Sequence, residues 1–382
     1  MKLIGKETYV LEDKENKLTP SEAYQKSGYV RGDRQVWNFD ISSSTFWIKF
    51  SMTNFDSNSR LFLDIGNPLL DTCQLFYIEN GQIVGSTTYG SAFRFNQRKY
   101  RYPTFLFHLN TPAGVTREFL LKIRSNEQML VSMVLTNNVG IADAQNIKDV
   151  VNGGFIGVVL VMILYNLFIY FSIKERSYLY YILYILFIGL TQITLTGYTY
   201  KLIFPGSPYL FNQSIVLFPS LAGVSAILFI RRYLDTKSEY KVWDRVLLTI
   251  GVTYIVAGTL RMLHLDRESS RAMDIISLVA AVLVYILVIR MMIKGSRPAK
   301  FLFFAWTIFL AGLALFALKN LGILPYNDFT NYTLQFGVAA QVAILSIALA
   351  DKINILQSET RKSQKQALEA SMENERIVRE QN

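Results

Sequence analysis

The sequence predicts a membrane protein made of an N-terminal all-β jelly roll or β-sandwich, a bundle of seven transmembrane α-helices and a C-terminal cytoplasmic helix. Three observations predict this architecture. Alternating apolar and polar residues occupy the first third of the chain, seven long apolar stretches follow, and the charged end contains neither Gly nor Pro. We therefore divide the chain into residues 1–145, 146–350 and 351–382.

The composition excludes several classes of protein. Of the 382 residues, 51% are hydrophobic and 18% are charged, whereas a soluble domain carries about 25% charged residues. The net charge of +10 comes mostly from Lys and Arg in short loops between apolar stretches, so we expect no nucleic-acid partner. Cys73 is the single cysteine, and the two histidines, His108 and His264, form no metal-binding pattern. We therefore expect no intrachain disulfide, metal site or cofactor.

Residues 30–140 contain strand-length runs in which every second residue is apolar. In the first such run, Phe46 and Ile48 share one face, while Trp47 and Lys49 share the other. Alternation of this kind is typical of antiparallel strands with one buried face. About eight such runs, separated by turns, predict the sandwich or jelly roll.

One turn follows directly from the residue types. The segment 79–82 has Asn80 and Gly81 at its centre, a pair that favours a two-residue β-hairpin. The sequence therefore predicts a hairpin between strands at 74–78 and 83–87. No catalytic constellation accompanies these strands, so we expect no enzymatic activity in this chain.

Seven apolar stretches are long enough to cross a hydrocarbon layer of about 30 Å. The predicted spans are 150–172, 177–197, 210–230, 246–264, 270–293, 300–319 and 332–350. The loops after the first, third and fifth spans contain eleven Lys and Arg residues, against five in and beside the other loops. Because positively charged loops stay in the cytoplasm, we predict that the β-domain is outside and the C-terminus inside. The chain begins without the apolar core of an export signal, so we infer that a signal was removed by processing or by truncation.

Polar side chains inside the predicted spans have two interpretations. They are Asn166, Gln192, Gln335, Gln341 and Ser346. Such residues either hydrogen-bond between helices or line a ligand or ion pathway. No span has a charged residue near its centre, which favours the first interpretation. The alternative function, a transporter or channel with an extracytoplasmic binding domain, calls for inverted repeats or interrupted helices, and the sequence shows no convincing set.

A basic and aromatic cluster, FRFNQRKYRYP, spans residues 93–103. Planar guanidinium groups beside aromatic rings suit sugars, carboxylates or phosphates. Two alternatives stay open: the arginines bond neighbouring backbone carbonyls, or the cluster contacts the membrane surface or the outer loops of the same chain. The candidate ligand-binding residues are Arg94, Arg98, Arg101 and Tyr102, with Trp47 as a stacking platform.

Six segments occur in a familiar order. They are NFDISSSTFWIKF (38–50), IGNPLLDTCQLFYIENG (65–81), FNQRKYRYPTFLFHL (95–109), YNLFIY (165–170), ERSYLYYILY (175–184) and QVAILSIALADKINIL (341–356). With these segments and seven spans, the chain resembles the bacterial seven-transmembrane receptors with diverse intracellular signalling modules (7TMR-DISM), of the type with the second kind of extracellular domain.

The resemblance implies a sensory role. It implies a jelly-roll domain, similar to carbohydrate-binding modules, that senses a periplasmic or extracellular ligand in a bacterial inner-membrane protein. It also implies a two-component histidine kinase, a nucleotide cyclase or a phosphatase as output after the last span. No phosphoacceptor His or nucleotide-binding motif follows residue 350, so we expect the output domain beyond Asn382. The expected partners are a small polar ligand such as a glycan, the lipid bilayer and a second copy of the chain.

Residues 351–382 predict a signalling helix that continues from the last span. A seam with 4-3 spacing begins at Leu349, Ile353 and Leu356, and its later positions are small or polar. The seam indicates either a weak dimeric coiled coil or a single solvated helix.

Overall fold

The computed structural model describes residues 1–55, 60–320, 323–325 and 327–381, apart from some side chains in the last helix. The strands are β1 (Lys2–Leu3), β2 (Tyr9–Asp13), β3 (Val30–Arg31), β4 (Val36–Asn38), β5 (Thr45–Thr53), β6 (Leu61–Ile65), β7 (Thr72–Glu79), β8 (Gln82–Tyr89), β9 (Phe105–His108), β10 (Thr116–Arg124) and β11 (Leu130–Asn137). One antiparallel sheet has the order β3-β2-β5-β10-β7-β8. The other has the order β1-β11-β6-β9, and β4 also pairs with β11.

The two sheets pack face to face around an apolar core. Phe46, Ile48 and Phe50 from β5 point into it, and they meet Leu63 and Ile65 from the opposite sheet. The predicted alternation in this strand is therefore confirmed, since its other face carries Trp47 into a separate apolar cluster. The short helix α1 (Pro20–Gln25) contributes Ala23 to that second cluster and so covers the outer face of the larger sheet.

The predicted hairpin is confirmed between β7 and β8. Asn80 and Gly81 both adopt positive φ angles, of 50° and 77°. Two successive left-handed residues match the twist of the strands that they join, which is why the Asn-Gly pair occurs here. The hairpin places β8 at one edge of its sheet, and β9 lies at one edge of the other.

The rest of the chain is helical. The helices are α2 (Asn138–Ile173), α3 (Arg176–Leu195), α4 (Tyr198–Leu202), α5 (Pro208–Tyr233), α6 (Thr236–Glu239), α7 (Lys241–Met262), α8 (Asp266–Ile293), α9 (Arg297–Asn320) and α10 (Asp328–Gln381). Within the described part of the chain, seven helices are long and apolar enough to cross a membrane. They contain or overlap the seven predicted spans, which confirms the seven-helix prediction.

The β-domain joins the bundle without a linker. Strand β11 ends at Asn137 and α2 begins at Asn138. The Asn137 side chain accepts a hydrogen bond from the Gly140 N–H at 2.9 Å, so the last residue of the sheet caps the first helix of the bundle.

Polar side chains connect α10 to its neighbours inside the bundle. Asn166 donates to the Ser346 hydroxyl at 2.9 Å, and the Tyr184 hydroxyl donates to Gln341 at 2.8 Å. Gln335 of α10 donates to Asn152 of α2 at 2.9 Å. These contacts confirm the prediction of hydrogen bonding between helices for Asn166, Gln335, Gln341 and Ser346, and Gln192 is likewise buried.

Helix α10 runs unbroken through and beyond the bundle, as the sequence predicts. Its 54 residues correspond to a length of about 80 Å. Leu349 and Ile353, the first two positions of the predicted seam, are buried in the bundle core, Ile353 with 6% exposure. The seam prediction is wrong for these two positions, because they pack against helices of their own chain. The side chain of Leu356 lies outside the described part of the structure.

Candidate functional site

A cleft of about 350 Å³ opens between β8 and β9, an edge strand of each sheet. Strand β8 bounds it on one side, and the end of β9 bounds it on the other. The inner positions of β8 on this side are Gly85, Thr87 and Tyr89. Since Gly85 has no side chain, and a Cβ there would meet no described atom within 4 Å except the Tyr77 ring at 3.9 Å, the cleft stays open beside Gly85. We refer to this space as the cleft.

Three tyrosines provide the aromatic and hydroxyl groups of the cleft. The Tyr77 hydroxyl lies 3.1 Å from the Thr87 hydroxyl and donates to the His108 carbonyl at 3.1 Å. The Tyr89 hydroxyl is hydrogen-bonded to the backbone of the loop after β8, and Tyr100 of that loop completes the wall. Burial raises the pKa of Tyr77 and Tyr89, so both hydroxyls stay protonated at neutral pH. The arrangement offers flat ring faces beside fixed hydroxyl groups.

Charged side chains occupy the rim of the cleft. Arg117 forms an ion pair with Glu79 and donates to a backbone carbonyl at residue 110. His108 lies beside them, and burial together with the positive charges of Lys99 and Arg60 lowers its pKa. His108 is therefore neutral at pH 7, whereas Lys99 and Arg117 are cationic.

The loop between β8 and β9, residues 90–104, has two opposite sides. Lys99 and Tyr100 line the cleft. On the other side Arg98 is buried, with 7% exposure, and donates to the carbonyl oxygens of Tyr102 and Pro103 at 3.1 and 3.0 Å. Burial lowers the pKa of Arg98 to about 10, so the guanidinium is still protonated at neutral pH.

The buried side of the loop docks onto the bundle through stacked rings. The Arg98 guanidinium lies over the rings of Phe95 and Tyr200, and the Tyr200 hydroxyl donates to the Phe93 carbonyl. Tyr200 stacks in turn on Phe211 of α5, with centroids 4.3 Å apart. The 90–104 loop therefore contacts the cleft on one side and the helices of the bundle on the other.

A second contact between the domains is a buried ion pair. Arg261, at the end of α7, donates to Glu127 of the β-domain at 2.6 Å, and the Ser270 hydroxyl donates to the other carboxylate oxygen at 2.7 Å. The guanidinium also bonds the Asn212 carbonyl at 3.1 Å through Nε. The attraction within a buried pair offsets the cost of taking both charges out of water only where further hydrogen bonds satisfy them, and Ser270 and the Asn212 carbonyl supply such bonds here.

A third contact joins β6 to the start of α2. Lys148 lies 3.1 Å from Asp64 and 3.1 Å from the Tyr102 hydroxyl, and Thr104 donates to the same Asp64 carboxylate at 2.5 Å. Together the three contacts fix the β-domain on one end of the bundle.

The comparisons with known proteins agree with this architecture. A family model described as 7TM diverse intracellular signalling matches residues 148–352, more than half of the chain. The chain belongs to the 7TMR-DISM family. A second model, 7TMR-DISM extracellular 2, matches residues 5–137, and this is the type of extracellular domain that the resemblance indicated. No curated protein matches the chain. This 7TMR-DISM chain is thus a multi-pass membrane protein with the domain architecture of a sensory receptor.

The five predicted ligand-binding residues do not share a surface in this 7TMR-DISM chain. Arg94 and Arg101 are exposed, whereas Arg98 and Tyr102 are buried on the side of the 90–104 loop that faces the bundle. Trp47 has 0% exposure and lies in the cluster on the outer face of the larger sheet. Arg98 bonds neighbouring carbonyls, which was the alternative interpretation of the basic cluster. Ligand binding by the five residues is untested and stays a prediction.

Sequence reasoning found part of the cleft and missed the rest. The basic and aromatic cluster contains Lys99 and Tyr100, so it marked the correct loop. Tyr77, His108 and Arg117 come from three separate strands. Their alternation gives the face on which each side chain lies, but not that β8 and β9 end up as free edges. Only the pairing order of the strands places these side chains around one opening.

Proposed function

We propose that this chain is the sensing and membrane-spanning part of a signalling receptor. A small polar ligand, of which a carbohydrate is the leading class, binds in the cleft. Its binding is transmitted through the 90–104 loop and α2 to α10, and from there to an output module such as a histidine kinase or nucleotide cyclase. The β-domain faces the periplasm or the exterior of a bacterial inner membrane, and the C-terminus is cytoplasmic.

The observation that supports this proposal best is the two-sided 90–104 loop. Tyr100 is in the wall of the cleft, and two residues away Arg98 and Tyr102 are packed towards the bundle. A ligand that contacts the exposed side of so short a loop changes the energy of its buried side as well. A ligand shifts an equilibrium only by its differential affinity for two states, and this loop gives it direct access to the docking contacts.

The tyrosines support the choice of ligand class. Sugar rings pack their C–H faces on aromatic side chains, and their hydroxyls need donors and acceptors at fixed positions. The cleft has both in Tyr77, Tyr89 and Tyr100. Its volume lies at the lower end of the range of small-molecule sites, which suits a small ligand rather than a long polymer.

The route onward uses contacts between helices. Because α2 continues β11, a movement of the β-domain moves the start of α2 directly. Helix α2 contacts α10 at Asn152–Gln335 and again at Asn166–Ser346. We further propose that two chains pair through α10 beyond Ile353, since dimeric outputs need two such helices side by side.

The experiment fills the cleft without a ligand. In the full chain in lipid nanodiscs, Gly85→Trp places an indole where the backbone leaves space. Hydrogen–deuterium exchange should change in the 90–104 loop and in residues 351–381. Ser86→Trp is the matched control, because Ser86 is the next residue of the same strand and its side chain points to the opposite face.

The readout separates a receptor from a passive binding domain. Unchanged exchange in residues 351–381, with changed exchange in the 90–104 loop, would show that the cleft is not coupled to α10. Protection of the β10 amides reports whether Gly85→Trp folds. If it does not, the smaller Gly85→Leu takes its place.

A further inference from the structure

We propose that the ligand of the cleft carries an anionic group, a carboxylate or a phosphate, which binds between Lys99 and Arg117. This inference rests on the proposed function, because it names the chemistry of the ligand for the same cleft. It follows from the balance of charges around the opening and from the geometry of one guanidinium.

The charges on the rim do not cancel. Among the described residues that line the cleft, Lys99 and Arg117 are cations and Glu79 is the one carboxylate. Glu79 is already in contact with Arg117, and no described carboxylate lies within ion-pair distance of Lys99. Lys99 is exposed at the opening, close enough to His108 for its charge to act on that imidazole. An anion is the group that this excess of positive charge attracts.

Arg117 is held in place but is not saturated. Its side chain is 12% exposed, and its two terminal nitrogens bond Glu79 and the carbonyl of residue 110. Its Nε is buried and has no acceptor among the described residues. The two terminal nitrogens carry four N–H donors and these contacts use two of them, so an anion can bond the others while the contact with Glu79 persists. The fixed orientation of Arg117 lowers the entropy cost of binding such a group.

His108 adds a dependence on pH. It lies in the same wall, with Lys99 and Arg60 as the neighbouring cations and Glu79 as the carboxylate of the cleft. Protonation of His108 adds a third positive charge beside a bound anion. Because the pKa of His108 lies below its ordinary value of 6.5, binding of a carboxylate should strengthen as the pH falls below 6.5, where carboxylates stay ionised.

The test compares sugars that differ in charge. The full chain in nanodiscs is titrated with glucose, glucuronate and glucose 6-phosphate, with heat of binding as the readout. We expect at least one of the two anionic sugars to bind ten times more tightly than glucose. Lys99→Gln should remove most of that difference, whereas Lys14→Gln, an exposed lysine at a distant turn, should leave it unchanged.

Each outcome decides the inference. If glucose binds as tightly as both anionic sugars, if neither anionic sugar binds, or if Lys99→Gln has no effect on the difference, the anionic ligand is ruled out. Gly85→Trp should abolish binding of every sugar that occupies the cleft. The receptor proposal is judged separately, by hydrogen exchange in residues 351–381 without any ligand, so failure of one does not imply failure of the other.

Discussion

The ion pair between Glu127 and Arg261 should hold the β-domain on the bundle, and its removal should loosen the two domains. The Arg261 side chain is 2% exposed and that of Glu127 is 6% exposed. Replacement of Glu127 by Gln leaves a buried guanidinium without its main counter-charge. Removal of one partner of a buried pair costs about 3–5 kcal/mol. We expect the lower end of this range, because Asp266 stays 3.5 Å from Arg261.

Amide hydrogen exchange measures this loss directly. The Asn126 N–H donates to the Asp71 carboxylate beside the ion pair and should exchange when the domains separate. Each 1.4 kcal/mol corresponds to a tenfold change, so exchange in residues 125–130 should be about a hundredfold faster or more in Glu127→Gln. The control is Glu7→Gln, because the Lys2–Glu7 pair is 67% and 49% exposed and such pairs contribute at most about 1 kcal/mol.

A double-mutant cycle completes the test. Among the described residues, Arg261→Met leaves the buried Glu127 carboxylate with the Ser270 hydroxyl as its one side-chain partner, so it should be about as damaging as Glu127→Gln. The double variant removes both charges and should cost clearly less than the sum of the single variants. Additive effects would contradict this prediction, because they would mean that the two side chains do not stabilise the docked state through each other.

Two further predictions concern packing and pH. Gly312→Ala should destabilise the contact of α9 with α10 by about 1–3 kcal/mol, because a Cβ there would lie 2.6 Å from the Thr333 carbonyl oxygen. Thermal unfolding should show this loss and should show none for the control Gly206→Ala, whose added Cβ has no described atom within 4 Å. His108 has a pKa below its ordinary value when folded, so the unfolded state takes up the proton first, and the stability present above pH 6.5 should fall as the pH drops below it. His108→Gln should flatten this decline in the melting temperature between pH 7.5 and 5.5, and an unchanged decline would assign it to other groups.

Much of the fold followed from patterns that a single sequence contains. The alternation around Phe46 and Ile48 placed a strand and its buried face, and Asn80-Gly81 placed a hairpin. These signals are local, because the period of a strand and the twist of a turn depend on neighbouring residues. The length of an apolar stretch is also a local signal. It identified each span because the thickness of the bilayer fixes the length of helix that can cross it.

The candidate site followed much less completely. Arg98 was predicted at a ligand, yet it lies under its own loop against Tyr200, a residue more than one hundred positions away. Nothing near Arg98 in the sequence indicates that partner. Glu127, in the loop between β10 and β11, gave no signal either, because its counter-charge Arg261 comes from the end of α7, more than one hundred residues later. Which basic residue is buried and which is free depends on the docking of two domains, and local patterns do not contain that information.

The direct junction of β11 and α2 fixes a phase between the two domains. Each residue of a helix turns the chain by about 100° and advances it by 1.5 Å. One residue inserted between Asn137 and Asn138 would therefore swing the β-domain around the axis of α2 and separate Lys148 from Asp64. The junction thus sets both the rotation and the distance between the two domains. An exchange of β-domains between chains of this architecture must therefore keep the number of residues between the last strand and the first helix.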